Sequence, residues 1–486
     1  MSRINPGDIS DTSNGRTHII LIVEPREGTS SDEEPTGPLE KFFLARALTE
    51  HANVAISATY ILPEAFTLPT QEYVYKALGT LISKNAALSA IPVKDDNDTW
   101  FFRLPEIDLG QTVSFQKRTR DYPAEEKPDT ELCELLQVHQ KAEFIAPLPF
   151  WRLIVLTETN GQRFTAIYIF HHVIADGISG KAFHETFLEA LHDAAISLTS
   201  GEATRQVIQS PKLSMLPNLE AVHPCSMSFT FLLKQFFQHK IYPYRDPGLW
   251  TGPKSSKPFD IEIRQIVIPE TVSTALRNRC RQNQATITSA IHTAVARSLL
   301  AHLPEEYTRL EAFSAMSSRR WLKEEEGITD QSMGVWVMDF RESFFRKQMD
   351  QYSSDSFPWE VARASCATIK QVLSREGKDT SVGLLKYADM WKYIQSQIGK
   401  DRDRSFKTSN LGVVKSAQEG ESWPQIRQMM FTQPFDGLSA PLAVSSITGG
   451  DGCLVLGIIW QKGLAESEMF EGVVDGIATE LHNAAN

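Results

Sequence analysis

The 486-residue sequence contains no apolar run approaching the ~18 residues that span a bilayer. Its start, MSRINPGDISDTSNGRTH, lacks the apolar centre of a signal peptide. These absences predict a soluble, cytoplasmic protein with no integral membrane association. The five cysteines, Cys133, Cys225, Cys280, Cys366 and Cys453, are odd in number and scattered, and no CxxC pair is present for zinc or redox chemistry. They read as reduced thiols. Positive charge is short as well, with 49 Lys and Arg against 60 Asp and Glu and a net charge of −11. A general phosphate-backbone binder needs a basic surface, so nucleic acid is not an expected partner. A local cluster of cations could still hold the phosphates of a small anionic co-substrate. Phosphate loops of the GxGxxG or GxxxxGK(S/T) kind and short-period repeats are also missing.

What is present is ordinary globular material. The 42% hydrophobic and 22% charged content permits a sizeable core, and the length suggests two large domains. The expected division is a flexible N-terminus over 1–16, a first domain over 17–205, a crossover over 206–259 and a second domain over 260–486. Ile19 to Val23 reads as a strand, Pro38 to Thr49 as a helix with proline at its start, and Val54 to Ile61 as an alternating strand. PFWRLIVLTETNGQRFTAIYIFHH reads as a hairpin, because Asn160-Gly161 tolerates the left-handed backbone of a two-residue turn. After Gly177 the spacing of Phe183, Phe187, Leu188 and Leu191 predicts a helix.

Between Ser197 and Phe259 the sequence is irregular, with one short helix expected in FTFLLKQFF. The second half opens with a strand in FDIEIRQIVIP and a helix capped by Thr286 or Thr288. Further strands are expected at Leu310 to Ala315, Gly334 to Phe340, Gly412 to Val414, Gln428 to Thr432, Leu442 to Ile447 and Leu454 to Trp460, before a closing helix.

HHVIADG, His171 to Gly177, therefore sits where a strand meets a helix. Side chains alternate across a strand, so the two histidines should face opposite ways and only one should act on a substrate. An imidazole that titrates near neutrality can serve as a general base toward a hydroxyl or amine. Asp176, at the mouth of the helix, can accept from the turn's amides or pair with an arginine, and Gly177 permits the bend. A plain strand-end turn is the alternative reading. A zinc site of His172, Asp176 and His184 is set aside because Leu188 stands where HExxH needs its second histidine.

HHVIADG resembles the HHxxxDG signature of the CoA-dependent acyltransferase superfamily, which includes chloramphenicol acetyltransferase, peptide-synthetase condensation domains, plant BAHD enzymes and alcohol acetyltransferases. GPLEKFFLARALTEHANVAISATY is similar to the opening of the alcohol acetyltransferase group. PFWRLIVL, ATITSAIHTAVARSL, SRRWL and TSNLG resemble further family segments, so the likeness runs from about residue 38 to the final helix. FDGLSAP resembles the DFGWG element of the plant enzymes only faintly, which places the chain outside that branch.

The resemblance implies an α/β fold of two chloramphenicol-acetyltransferase-like domains, each a mixed sheet covered by helices, with a tunnel at their interface. It implies His172 as the base, His171 and Gly177 as supports, and Asp176 as the residue that orients the loop through an arginine; Arg319 is a candidate for a substrate-facing tunnel charge or for that partner, with an ordinary surface arginine as the alternative. The hydroxyl of Thr408 or Ser409, or the amide of Asn410, is the candidate oxyanion donor. Lys400, Arg402, Arg404 and Lys407 are candidates for CoA phosphates, although the interleaved Asp401 and Asp403 also fit a solvated charged loop.

The expected reaction is acyl transfer from acetyl-CoA, or another acyl-CoA, to a small-molecule alcohol. CoA is a co-substrate there, and no permanently bound cofactor or metal is expected. A monomer is the expected state. A condensation-type enzyme using a carrier-protein thioester and a non-catalytic binding member are the alternatives.

Overall fold

A computed structural model describes residues 33–47, 53–94, 98–124, 127–158, 162–237, 246–254, 260–414, 423–435, 438–462 and 467–486. The strand expected at Ile19 to Val23 and the Asn160-Gly161 turn lie outside the described residues.

The first part of the chain supplies α1 (Pro38–Ala47), β1 (Val54–Ile61), α2 (Thr70–Lys84), β2 (Val113–Lys117), β3 (Trp151–Thr157), β4 (Arg163–Phe170) and α3 (Gly177–Thr199). The second part supplies β5 (Ile261–Ile268), α4 (Glu270–Gln282), α5 (Ile287–His302), β6 (Arg309–Ser317), β7 (Val337–Phe345), α6 (Trp359–Leu373), β8 (Phe406–Val413), β9 (Gln425–Thr432), β10 (Leu442–Thr448), β11 (Leu454–Gln461) and α7 (Ser467–Ala485). Local chemistry accounts for several boundaries. Proline at the head of α1 leaves no amide unpaired there, and Glu40 and Arg46 complement the helix dipole at its two ends. Thr286 and Ser289 form a reciprocal capping box that starts α5.

Two mixed sheets result, each with helices on its outer face. The first has strand order β9-β1-β4-β3-β2 and the second β5-β11-β10-β8-β6-β7. In the first, only β2 and β3 run parallel; in the second, β8 is parallel to both β6 and β10. Leu78, Phe183, Phe187 and Leu191 of α2 and α3 cover the outer face of the first sheet, and Val295, Leu299, Val473 and Ile477 of α5 and α7 cover that of the second. The inner faces meet in a third cluster that joins Ala55, Ile167 and Ile169 to Ile263, Val455 and Ile459. Being covered on both faces, β1 is buried over all but its last residue, including the polar Ser57 and Thr59 of its alternating pattern.

The odd member is β9. It comes from the second half of the chain yet pairs antiparallel with β1, so the first sheet takes its edge strand from beyond the crossover. Its backbone passes so close to β11 that a Cβ at Gly457 would collide with the Phe431 carbonyl oxygen. Gln433 follows, its backbone amide donating a hydrogen bond to Ser445 Oγ of β10 at 2.9 Å. The two sheets are thereby stitched edge to edge as well as face to face.

Two strands differ most from expectation. The strand expected at Gly412 to Val414 begins at Phe406 and contains the whole of TSNLG. The strand expected at Gly334 to Phe340 runs instead from Val337 to Phe345, because Gly334 to Trp336 are used in contacts to the HHVIADG turn.

Candidate active site

β4 ends at Phe170 and delivers HHVIADG to the head of α3, which Asp176 caps by accepting from the Ser179 amide at 2.9 Å. The capping carboxylate satisfies one of the helix's orphan donors and lies at the positive end of its dipole. Four more bonds reach it. Arg319 Nη1 meets Oδ2 at 2.7 Å and Nη2 meets Oδ1 at 3.0 Å, Ser179 Oγ donates to Oδ1 at 2.8 Å, and the Trp336 amide donates to Oδ2 at 3.0 Å. The Asp176 amide in turn donates to the Gly334 carbonyl at 2.9 Å. Burial alone would raise the pKa of Asp176, but the charge and hydrogen bonds of Arg319, with the Ser179 and Trp336 amides, hold it below the usual carboxylate range. Asp176 thus binds a turn of the first half to a loop of the second.

The two histidines occupy different surroundings. His171 is buried beside Phe144 and Phe150, and its Nδ1 accepts from the Val173 amide at 3.0 Å. Burial, then the neighbouring His172, lowers its pKa to about 3. His172 is half-buried and turns toward α1, where Phe43 stacks on its ring with centroids 3.7 Å apart and planes 12° from parallel. Its Nδ1 is shut off from solvent. Burial lowers the pKa of His172 to about 4; Asp176 pulls it upward, Arg46 of α1 downward, and the backbone of His172 and Ala175 upward again. Both rings are therefore neutral at neutral pH, the form a base must have.

Gly177 is explained by crowding. A Cβ there would stand 2.8 Å from Leu411 Cδ2 and 3.4 Å from Phe431 Cζ, so a side chain at the head of α3, where it approaches β8 and β9, would make Leu411 or the helix shift. Lys181, one turn on, donates to the Val413 carbonyl at 3.2 Å and fixes the same approach.

That contact sorts the three candidates in TSNLG. Thr408 and Asn410 both turn toward α5, so Ser409 between them faces the other side of β8, the side on which Leu411 meets the head of α3. Thr408 points the other way. Its Oγ1 lies 2.8 Å from His292 Nε2 and 2.6 Å from Ser314 Oγ, and His292 Nδ1 lies 3.3 Å from Glu342 Oε2, all buried under α5. Asn410 is likewise occupied, donating to Thr288 Oγ1 at 3.0 Å and accepting from the Gly412 amide at 2.8 Å.

The four cations of GKDRDRSFK are not brought together. Lys400 is exposed. Arg402 is buried and donates to the Pro253 carbonyl, Arg404 lies 3.8 Å over the Phe313 ring with Asp403 at 3.3 Å, and Lys407 is buried and donates to the Pro434 carbonyl. Lys400, Arg402 and Arg404 precede β8 in irregular chain, and Arg402, Arg404 and Lys407 each turn to a different local partner, so closeness in sequence does not make a patch. His184, the third residue of the zinc alternative, is buried in α3 with Nδ1 2.9 Å from the Tyr60 hydroxyl and Nε2 2.9 Å from the Ile56 carbonyl. Among the described residues no group of three or more His, Cys, Asp and Glu side chains converges as a metal site, and no helix is long and apolar enough to cross a membrane.

Sequence reasoning missed Phe43, Ser179 and Trp336. PLEKFFLARAL shows two adjacent phenylalanines with nothing to mark the second, and Trp336 reaches Asp176 through its backbone amide, which no residue type advertises, while its ring lies 4.8 Å from the Arg319 guanidinium.

A two-sheet fold with an HHxxxDG turn between the sheets defines the acyltransferase and condensation-domain class. Among solved structures, TRI3 trichothecene 15-O-acetyltransferase from Fusarium sporotrichioides superposes with a TM-score of 0.73 at 13% identity, covering 93% of this chain and 95% of that one. The first condensation domain of the CDA synthetase superposes at 0.60 with 12% identity, covering 93% and 96%. The family model for alcohol acetyltransferases matches residues 114–472, and the chain belongs to that family. It is 31% identical over 444 residues to the probable alcohol acetyltransferase crmB of Aspergillus fumigatus, covering 87% of this chain and 94% of the relative. It is 25% identical over 413 residues to the probable alcohol acetyltransferase FCK4 of Fusarium pseudograminearum, covering 79% and 80%. The protein is an acyltransferase, and its family implies an acyl-CoA co-substrate.

Proposed function

We propose that the protein transfers the acetyl group of acetyl-CoA to the hydroxyl of an apolar alcohol, a secondary metabolite, with His172 as general base. The carrying observation is the setting of the His172 imidazole: neutral, with one face on Phe43 and Nδ1 closed to solvent, which leaves Nε2 to meet a substrate proton. Nε2 takes the hydroxyl proton as the oxygen attacks the thioester carbonyl. The C–O bond forms, the carbonyl electrons move onto its oxygen, and Ser409 Oγ donates to that oxyanion. Collapse breaks the C–S bond, and the imidazolium returns its proton to the departing thiolate, giving ester and free CoA. Asp176 and Arg319 hold the turn that carries His172. Of the four cations of GKDRDRSFK, the exposed Lys400 is the one left to meet CoA phosphates. The acceptor class rests on the relatives, since TRI3 acts on a trichothecene and crmB and FCK4 carry the name of alcohol acetyltransferases.

Incubation of the purified protein with acetyl-CoA and a panel of apolar alcohols, followed by free-thiol release, tests the reading. Alcohol-dependent thiol release is expected. No release with any alcohol, or turnover only with carrier-bound thioesters, would overturn it.

A further inference from the structure

We propose that Phe43 is a positioning residue for His172, and that its ring favours the imidazolium formed during proton transfer; this rests on His172 being the base. The two rings are nearly parallel at 3.7 Å between centroids. For two neutral rings, a face-to-face sandwich is the least favoured arrangement, because the negative faces of their quadrupoles meet. Once the imidazole takes a proton, the same geometry places a cation over a π face, which is attractive. The contact is therefore stronger after proton transfer has begun than before it, the condition for an interaction to speed a reaction rather than merely hold the substrate.

The stack is also braced so that it cannot slide away. Phe43 is buried on α1, in one apolar cluster with Leu219, Cys225, Trp336 and Met338. The start of α1 is pinned by the Leu39 amide, which donates to Glu220 Oε1 at 2.9 Å, and by the Gly37 amide, which donates to Glu40 Oε2 at 2.6 Å. Trp336 donates its amide to Asp176, so the wall behind Phe43 and the turn that carries His172 share one anchor. With a face covered by Phe43 and Nδ1 enclosed, the imidazole is left a single working edge.

The test compares Phe43→Leu, which keeps apolar bulk but removes the π face, with Phe43→Tyr, which keeps the face, and with Phe42→Leu as a neighbouring control. Phe43→Leu should lower kcat about tenfold while the KM values for acetyl-CoA and alcohol stay within about twofold. Phe43→Tyr and Phe42→Leu should keep the wild-type kcat. In the resting protein the His172 Cε1–H resonance, assigned by its loss in His172→Gln, should lie upfield through the Phe43 ring current, move downfield in Phe43→Leu and return in Phe43→Tyr. An active wild type whose Phe43→Leu variant turns over at the same kcat, or a His172 resonance that ignores the substitution, would overturn the assignment of Phe43 alone. A wild type silent toward every alcohol, with the upfield resonance intact, would instead overturn the acetyl-transfer reading and with it any catalytic role for the stack.

Discussion

Arg319 Nη1 lies 2.7 Å from Asp176 Oδ2, joining residues 143 positions apart through two side chains that are each 3% exposed. The pair ties the head of α3 to the loop before β7. Removing one partner of a buried ion pair leaves an uncompensated charge, so Arg319→Met should destabilise the fold by about 3–5 kcal/mol. The check is the urea midpoint, with Asp176→Asn, Arg319→Met and the double variant compared. A double variant no more stable than Arg319→Met alone would show that the stranded carboxylate is not the source of the loss.

His172→Ala should lower kcat by about 10²–10⁴-fold, the usual contribution of a general base, and leave the far-ultraviolet circular dichroism unchanged. Because burial depresses the pKa of His172 to about 4, the acid limb of kcat/KM for the free enzyme should fall below the ordinary histidine value of 6.5. A limb at or above 6.5 would point to another base.

Stability should follow the same groups. His171 titrates at about 3 in the folded protein, and His172 and His184 at about 4, against 6.5 for the free side chain. Below pH 6.5 the unfolded chain binds protons that the folded one refuses. The stability gained by keeping these rings neutral is thus full above pH 6.5 and is lost as pH falls through the folded values. Urea midpoints measured from pH 7 to 4 should decline across that window, and a flat profile would contradict the burial of the three rings.

Ser409→Ala and Thr408→Ala should separate function from packing on one strand. Loss of an oxyanion donor costs about 10²–10³-fold in kcat, so Ser409→Ala should retain its melting temperature and lose turnover. Thr408→Ala removes a hydroxyl that bonds His292 and Ser314, and should chiefly lower stability, by about 1–3 kcal/mol. The reverse pattern would exchange their roles.

Gly177→Ala forces a methyl to within 2.8 Å of Leu411 Cδ2. Overpacking of this kind costs about 1–3 kcal/mol. Combining it with Leu411→Ala should restore part of the lost melting temperature, and a double variant with no recovery would refute the crowding explanation.

Much of this architecture was legible in the residues. Val54 to Ile61 is a strand over the whole of its expected length, and the arms of the hairpin into His171 pair in antiparallel register from Trp151 with Phe170 to Thr157 with Phe164. Both follow from local apolar patterning that burial on two faces reinforces. KTSNL was not legible as a strand, because its polar residues are satisfied by partners far along the chain: Lys407 by Pro434 and Thr408 by His292. The same limit applied at the site. Strand and helix signals place the HHVIADG turn, and SRRWL offers Arg319 to Asp176, but which face of β8 meets the turn depends on the close approach of Gly177 and Leu411. Nor does anything in PLEKFFLARAL distinguish Phe43 from Phe42 until α1 is laid against His172.

The membership of β9 in the first sheet bears on how the enzyme is made. During synthesis β1, β4 and β3 leave the ribosome early, but the exposed edge of β1 has no partner until residue 432 has emerged. Unpaired edges invite pairing with other chains. Fragments ending before Gln425 should therefore be prone to aggregate, and the HHVIADG turn, though encoded in the first half, should reach its final setting only when translation is nearly finished.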